Sequence, residues 1–537
     1  MTNSRHSPHP GPPQWTRKPG LSETVDRLLR PLDWLFNRLS GSALNPLYQT
    51  GTVGVVAFVV LLVTGIYLFI FYETDAPWAS VQVISAAPFG AWIRRTHRYA
   101  ADVFVVAVVL HAIKMFASGK FWGPRSWAWR TGVMLLGALV LCGVSGFWLV
   151  WDALAQHTAL AAAQMIDPLH VLPQSLASFF AGLDPVPRSF FFALLFVHVC
   201  LPLGLMLLLM MHLLRLSKPP LWPPRPLLLG AVIGLGIAAA VLPLPQVPEA
   251  SVLRIWSKLP LDWLYLFWVP AAHGGAGMLW LLSLGTTALL LAVPKWFAPK
   301  QDIPVSTLDS NLCTGCATCY EDCPYTAITM IPRPNPDPRK SPLVSSIDPL
   351  KCVGCGVCAG SCAPMSVGPP ARRGRDQLAL LQEAWQTVAA TPPRIVVFAC
   401  RNGVEPALSD DKLPPNTWIW SADCTGSVHA AMVEFVLRQG ASGVCIATCP
   451  SRDAGCRLGP NLVRDRMLHG REAELRPTVD VRRLSIVDAA RTEPDVVRAA
   501  IMELESVIDN LDNADLRELR EWDPTCEPAD PDEVLAR

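Results

Sequence analysis

Apolar residues concentrate in the first 300 positions, where six segments are each long enough to cross a lipid bilayer as a helix of about 20 residues. These segments lie at about 50–72, 97–116, 132–151, 190–213, 226–244 and 273–293. Before them, residues 21–42 alternate charged and apolar side chains at helical spacing. That pattern predicts an amphipathic helix, suited to a membrane surface and almost equally to the cytosol.

Basic residues flank one side of the predicted membrane segments. They are Arg17, Lys18, Arg27, Arg30, Arg38, Lys114, Lys120, Arg125, Arg130, Arg215, Lys218, Arg225, Lys295 and Lys300. Because cytoplasmic loops are enriched in Lys and Arg, six crossings would place the N-terminus and everything after residue 296 in the cytoplasm. Residues 1–20 lack the apolar core of a signal peptide, so we expect the helices themselves to direct insertion into the cytoplasmic membrane of a prokaryote.

Two histidine pairs stand inside or at the edge of these segments. His97 and His111 are fourteen residues apart, and His198 and His212 repeat that interval. Fourteen residues are roughly 21 Å of helix and nearly four turns, so each pair stays near one helix face. Ionisable side chains are costly in a bilayer and are expected to be functional, although a single histidine would as often be structural. Because imidazole binds haem iron, two facing helices predict an outer haem at His97/His198 and an inner one at His111/His212.

Residues 25–270 resemble the cytochrome b subunit of quinol-oxidising bc-type complexes. The resemblance rests on Gly51 and Gly65, Gly132 and Gly146, GFWLVWD (146–152) and FFFALLFVHVCLP (190–202). At these glycines the missing Cβ atom would let a porphyrin approach the helix backbone. The resemblance implies two haem b groups, a propionate contact for Arg94, and a homodimer.

The outer quinol site is where this chain departs from that family. The family's Pro-Glu-Trp-Tyr motif is replaced by PLDWLY at residues 260–265. Asp262 is a candidate acceptor of a quinol proton, although interfacial Trp and Tyr are also ordinary membrane anchors. The other candidate quinone pocket is expected near the inner haem. Lys114 would either contact the quinone there or simply be one of the basic residues that set the membrane orientation.

Twelve of the sixteen cysteines form patterned groups after residue 310, and the first two groups share the spacing C-x2-C-x2-C-x3-C. The groups are Cys313, Cys316, Cys319 and Cys323, then Cys352, Cys355, Cys358 and Cys362. They resemble a bacterial two-cluster ferredoxin, which implies two [4Fe–4S] clusters; a zinc ribbon is the alternative. By that resemblance the ligand sets are Cys313, Cys316, Cys319 and Cys362 for one cluster, and Cys352, Cys355, Cys358 and Cys323 for the other.

From residue 393 the pattern predicts buried strands at 394–400, 417–424 and 443–449, with a helix at 427–440. Cys400, Cys424 and Cys449 fall at the carboxyl ends of these strands, where open parallel sheets bind ligands, and Cys456 can complete the set. Residues 393–490 resemble the small iron–sulfur subunit that joins hydrogenases or formate dehydrogenases to heterodisulfide reductase. That implies a [2Fe–2S] cluster on the four cysteines; buried, unliganded thiols are the alternative.

The predicted fold is multidomain, with an all-α membrane bundle of about six helices, a small α+β ferredoxin and an α/β open parallel sheet. The expected parts are an N-terminus with a surface helix (1–48), the di-haem membrane domain (49–296), the ferredoxin (303–370), a linker helix (371–392), the iron–sulfur α/β domain (393–493) and an acidic helical tail (494–537).

The formal net charge of +1 argues against nucleic acid as the main partner. We expect an electron-transfer subunit that connects membrane quinone to a cytoplasmic redox partner through one [2Fe–2S] cluster, two [4Fe–4S] clusters and two b haems. The partner would hold the catalytic centre, as a flavoprotein like heterodisulfide reductase, a hydrogenase or a formate dehydrogenase. Two alternatives stay open: a quinone oxidoreductase with two quinone sites coupled to proton translocation, and a membrane anchor for a soluble complex.

Overall fold

The computed structural model forms two compact units, one of residues 19–28 with 44–298 and the other of residues 29–43 with the chain from 299 onward. The described residues are 20–170, 175–181, 186–214, 218–245, 247–253, 259–272, 275–299, 303–335, 337–386, 388, 392–408, 413–450, 458–468 and 470–511. His273 and Cys456 lie outside these ranges.

The regular elements of the first unit, within its described residues, are helices, and one isolated β-bridge joins Asp152 to Glu249. Its helices, beginning with one shared by both units, are α1 Gly20–Ser40, α2 Thr50–Phe71, α3 Pro77–Ala86, α4 Pro88–Ala117, α5 Ser126–Val150, α6 Ala153–Ile166, α7 Leu176–Ala181, α8 Arg188–Leu214, α9 Arg225–Val241, α10 Val269–Ala272 and α11 Ala276–Trp296. Among the described residues, α2, α4, α5 with the turn before it, α8 and α11 are long and apolar enough to cross a membrane. All six predicted segments therefore fall on helices, but α9 is shorter than the other five.

The membrane helices pack in pairs, α2 along α4 and α5 along α8. Large apolar side chains on the outer helix surfaces remain exposed, among them Phe192, Leu207 and Leu281. Such surfaces are expected where lipid rather than protein covers the helix. The pairing places both histidine-bearing helices, α4 and α8, against helices that carry the predicted glycines.

The ferredoxin part of the second unit is built from two similar halves. Its elements are β1 Thr307–Leu308, α12 Thr318–Asp322, β2 Ile328–Pro332, β3 Leu343–Ile347, α13 Val357–Ser361 and β4 Val367–Gly368. Strands β1 and β4 pair antiparallel, as do β2 and β3. The short helices start inside the cysteine runs, each after a residue in the left-handed region: Ala317 (φ 68°) and Gly356 (φ 78°).

The described residues from 374 onward form an α/β domain around a four-stranded parallel sheet in the order β6-β5-β7-β8. Its elements are α14 Gly374–Gln386, β5 Ile395–Cys400, β6 Thr417–Ala422, α15 Ala430–Arg438, β7 Gly443–Thr448, α16 Gly459–Met467, β8 Leu484–Asp488 and α17 Pro494–Asp509. The open parallel sheet and its first three strands are confirmed. Strands β5, β6 and β7 are buried at every position because both sheet faces are covered.

Helices cover the two faces of this sheet. Apolar side chains of α14, α15 and α16 pack on one face, and those of α17 pack on the other. Helix α17 therefore belongs to the α/β domain, beyond its predicted end at residue 493, and is not part of a detached tail. In α1, the Asn37 side chain donates to the Thr492 hydroxyl at 3.1 Å, so that half of the helix contacts the α/β domain.

Candidate redox-cofactor sites

The histidines of α4 lie against the glycines of α2. A Cβ atom added at Gly65 would lie 3.4 Å from His97 Cε1, and one at Gly51 would lie 3.1 Å from His111 Cε1. Fourteen residues separate the members of each pair, so the two contacts recur near the two ends of the same helix face. At both positions the imidazole ring therefore lies directly against the glycine, and at Gly51 an added side chain would crowd it.

The second helix pair repeats this arrangement. A Cβ atom at Gly132 of α5 would lie 3.5 Å from His212 Cε1 on α8, and one at Gly146 would lie 3.0 Å from His198 Cε1. The sequence suggested that these glycines make room for porphyrin. In the structure, what they directly accommodate is the histidine ring.

Hydroxyl side chains fix the orientation of these rings. Thr64 Oγ1 donates its proton to the Val60 carbonyl at 2.7 Å and lies 2.9 Å from His97 Nδ1. Because its one proton is already used, the hydroxyl oxygen is placed to accept Nδ1–H of His97. The unprotonated nitrogen of a neutral imidazole is then Nε2, which is the atom a metal ligand needs.

Two histidines of α8 make the same contact with α5. Ser145 Oγ donates to the Cys142 carbonyl at 2.8 Å and lies 2.9 Å from His198 Nδ1. Thr131 Oγ1 donates to the Ala128 carbonyl at 3.0 Å and lies 3.0 Å from His212 Nδ1. An electrostatic interaction between His97 and His198 further indicates that these two rings share one end of the bundle.

These hydroxyls were not predicted, although the sequence carries a signal for them. Each of the four glycines is immediately preceded by Thr or Ser, namely Thr50, Thr64, Thr131 and Ser145. At three of these four positions, Thr64, Thr131 and Ser145, that residue contacts the histidine ring. A neutral imidazole with a fixed tautomer fits an axial ligand of haem iron.

Asp262 is engaged in structural contacts. Its carboxylate forms an ion pair with Arg98 of α4, which also pairs with Asp102. The same carboxylate accepts the backbone N–H groups of Leu264 at 2.8 Å and Tyr265 at 2.9 Å. It therefore fastens the loop after residue 259 to α4.

The other two polar residues predicted in the membrane domain also have neighbours. Arg94 donates to the Ser85 hydroxyl at 3.0 Å. Lys114 is buried, with its ammonium nitrogen 5.2 Å from the centre of the Tyr48 ring. A buried lysine over an aromatic face is more than a loop charge that directs topology.

One cavity of the ferredoxin part is lined by cysteines from both runs. Cys313, Cys316 and Cys319 meet Cys362 there. Burial raises the pKa of the Cys319 thiol to about 12 and also raises that of Cys362. Since burial disfavours a bare thiolate, ligation by these sulfurs requires a cation beside them, as the iron of a cluster supplies. The backbone N–H of Ser366 donates to Cys362 Sγ at 3.3 Å, which also favours thiolate.

The other cysteines of the two runs also lie together. Electrostatic interactions connect Cys358 to Cys355 and Cys352, and burial raises the pKa of Cys358 well above its ordinary value. Backbone N–H groups donate to two sulfurs: Ser306 to Cys352 at 3.5 Å and Ala327 to Cys323 at 3.3 Å. In the parts of the chain that the structure describes, no three His, Cys, Asp or Glu side chains are grouped as ligands of a single metal ion.

Three cysteines lie at the carboxyl edge of the parallel sheet. Cys400 ends β5 and pairs with Ala422 of β6, two residues before Cys424, and Cys449 directly follows β7. All three are buried. A Cβ atom at Gly403 would lie 3.1 Å from Cys449 Cβ, so the turn after β5 folds back closely over that cysteine. The predicted fourth member, Cys456, is outside the described residues.

Comparison with known proteins gives matches to three family models and to solved structures. The model described as cytochrome b/b6/petB matches residues 35–219, the 4Fe-4S dicluster domain matches 312–364, and methyl-viologen-reducing hydrogenase, delta subunit, matches 395–512. A structure titled "Hyperthermophilic respiratory Complex III" is 19% identical, with a TM-score of 0.38, and the match covers 46% of this chain and 75% of that one.

Proposed function

We propose an electron path for this chain, which joins a cytochrome b domain to a 4Fe–4S dicluster domain and a domain of the methyl-viologen-reducing hydrogenase delta-subunit family. The chain is a multi-pass membrane electron-transfer protein with haem b and iron–sulfur clusters. Haems and iron–sulfur clusters exchange single electrons, whereas a quinone takes up two electrons and two protons. The proposal concerns the number of cofactors, the residues that hold them and the two ends of the path.

The membrane domain would hold two b haems between α4 and α8. His97 and His198 would bind one of them, and His111 and His212 the other. The observation that carries this assignment is the hydroxyl contact at Nδ1 of three of these histidines, since it leaves Nε2 available to iron. Arg94 would contact a propionate of the outer haem.

The ferredoxin domain would hold two [4Fe–4S] clusters with exchanged ligands. One cluster would be bound by the four cysteines that line a common cavity, Cys313, Cys316, Cys319 and Cys362. The other would be bound by Cys352, Cys355, Cys358 and Cys323. Cys400, Cys424 and Cys449, with Cys456, would bind a [2Fe–2S] cluster at the edge of the α/β sheet.

In this proposal the chain is an electron-transfer subunit of a prokaryotic membrane, with its iron–sulfur domains in the cytoplasm, the side favoured by the Lys and Arg residues that flank the membrane segments. The domain of the hydrogenase delta-subunit family would face a partner that holds the catalytic centre, of the heterodisulfide-reductase, hydrogenase or formate-dehydrogenase type. At the membrane end, quinone would exchange electrons with the haems, with Lys114 as the candidate contact near His111 and His212. The protein supplies distance and environment, and the cofactors supply the redox chemistry.

Replacing an inner histidine tests the path. His212→Leu should remove one b-haem signal and stop the oxidation of chemically reduced iron–sulfur clusters by added ubiquinone or menaquinone analogues. His170→Leu, at an exposed histidine outside the proposed sites, should change neither. If cluster oxidation by quinone continues at the original rate without that haem, the proposed path is wrong. Retention of partner binding alone would instead favour the membrane-anchor alternative.

A further inference from the structure

The ferredoxin and α/β domains meet around one fully buried arginine. Arg466 of α16 has 0% of its surface exposed. Its guanidinium donates to Ser361 Oγ at 3.0 Å and to the Gly426 carbonyl at 2.6 Å, and it lies 3.8 Å from Asp322 Oδ2. The arginine thus reaches from the α/β domain to both halves of the ferredoxin.

The three partners of Arg466 occupy related positions in the sequence. Ser361 directly precedes Cys362, Asp322 directly precedes Cys323, and Gly426 follows Cys424 by two residues. Those cysteines are assigned above to three different clusters: the first cubane, the second cubane and the [2Fe–2S] centre. One guanidinium therefore contacts the chain beside a ligand of every iron–sulfur cluster.

Close backbone packing holds this junction in place. A Cβ atom at Gly360 would lie 2.5 Å from the Gly426 carbonyl oxygen. The backbone segments of the two domains therefore approach each other so closely here that only glycine fits. Cys355 and Cys424, from the second cubane and the [2Fe–2S] set, belong to one buried group with Val357.

Further polar contacts tie the two domains together. Arg471 pairs with Asp322, and Thr318 donates to Glu472 at 2.6 Å. Beside the [2Fe–2S] set, Arg372 of the ferredoxin side pairs with Asp423 of the α/β domain. The distance between the clusters is thereby fixed.

A buried guanidinium at such a junction is a permanent positive charge. Burial lowers the pKa of Arg466 to about 10, which leaves the side chain protonated at neutral pH. Reduction adds negative charge to a cluster, and a nearby cation stabilises that charge more strongly where water is excluded. An arginine in this position therefore favours the reduced state of its neighbours.

We propose that Arg466 is a positioning residue that locks the ferredoxin and α/β domains together and raises the reduction potentials of the clusters around it. This inference rests on the proposed function, since it requires the clusters assigned above. It makes the passage of electrons between the [2Fe–2S] centre and the cubanes depend on one charge. The carboxylate of Asp322, which faces that charge, lowers the reduction potentials of the same clusters.

Redox-poised EPR of the detergent-solubilised full chain tests this inference through potentials rather than turnover. Arg466→Met should lower the [2Fe–2S] potential so that the reduced-to-oxidised ratio at a fixed potential falls about tenfold, or 59 mV for one electron. Arg466→Lys should restore most of this shift because it restores the charge. Asp322→Asn should raise the cluster potentials. Arg464→Met is the matched control, because Arg464 lies on the same helix but pairs with Asp488 at 2.9 Å.

The outcomes separate the inference from the function on which it rests. Wild-type protein without a [2Fe–2S] signal would overturn the proposed function and this inference with it. Full cluster content with unchanged potentials in Arg466→Met would overturn the inference alone, as would equal shifts in the Met and Lys variants. If Arg466→Met does not fold, Asp322→Asn decides, since potentials that fail to rise in that variant contradict the inference.

Discussion

The hydroxyl contact at His97 gives a sharp prediction for Thr64→Val. Valine has nearly the same shape as threonine but cannot accept the Nδ1–H of His97, which Thr64 meets at 2.9 Å. Because the Leu61 carbonyl remains beside the ring, the loss is that of one hydrogen bond, about 0.5–1.5 kcal/mol. At about 1.4 kcal/mol for each tenfold, retention of the outer haem should weaken by about 2- to 12-fold.

The same substitution should change the electronic character of the ligand. A hydrogen bond from Nδ1 makes a ligating imidazole a stronger donor, which stabilises oxidised iron. Its loss should raise the reduction potential of the outer haem and leave the inner haem unchanged. Haem content per protein and the two midpoint potentials, measured by optical redox titration, report both effects.

Thr287→Val supplies the control for Thr64→Val. Thr287 is exposed on α11 and makes the same hydrogen bond to the carbonyl four residues earlier, at 2.8 Å to Ser283. The control variant should keep both haems at their original potentials. Full haem content and an unshifted outer potential in Thr64→Val would refute the orienting role of the hydroxyl.

Three further predictions concern other parts of the chain. Cys362→Ala should remove one cubane EPR signal and about four iron atoms per chain, as in a [4Fe–4S] cluster, whereas Cys445→Ala, in the sheet core, should leave iron content unchanged. Asp262→Asn should lower the thermal stability of the membrane domain because it weakens the ion pair to α4. Quinone turnover per folded molecule should persist. Loss of turnover without destabilisation would instead favour the two-site quinone oxidoreductase. Hydrogen bonds from Arg482 lower the pKa of Asp480, so its stabilising contribution is present above the unfolded pKa and is lost as pH falls through the folded one. Asp480→Asn should therefore destabilise the α/β domain by less than about 1 kcal/mol at pH 7 and not in strong acid, as measured by denaturant titration; an equal effect at both pH values would contradict this.

The parts of the fold that were predictable are those with strong local patterns. The six apolar segments all became helices. The mostly apolar runs at 394–400, 417–424 and 443–449 became adjacent parallel strands, because such strands need cover on both faces. Strand β8 was missed because its residues are only partly buried and follow a basic turn. The sequence predicts an acidic helical tail from residue 494, whereas the apolar face of α17 packs in the core of the sheet domain.

The missed site residues act through neighbours that sequence patterns do not connect. Thr64 and Ser145 look like ordinary helix residues until the facing histidine is placed opposite them. Arg466 is distant in sequence from all three of its partners, the nearest of which is Gly426. The contacts of Arg466 depend on how the two domains meet, so composition and periodicity carry no sign of them, whereas the Thr or Ser before each glycine is a local signal for the hydroxyls.

A redox-poised optical and EPR titration of the purified, detergent-solubilised protein tests the central claim most directly. The account predicts two b-haem midpoints, [4Fe–4S] signals and one [2Fe–2S] signal, all reducible in the same molecule. Haem signals without a [2Fe–2S] signal would mean that the α/β domain serves only to dock a partner and does not carry electrons. Protein that carries no haem would contradict the proposed path from the cytoplasmic clusters to membrane quinone.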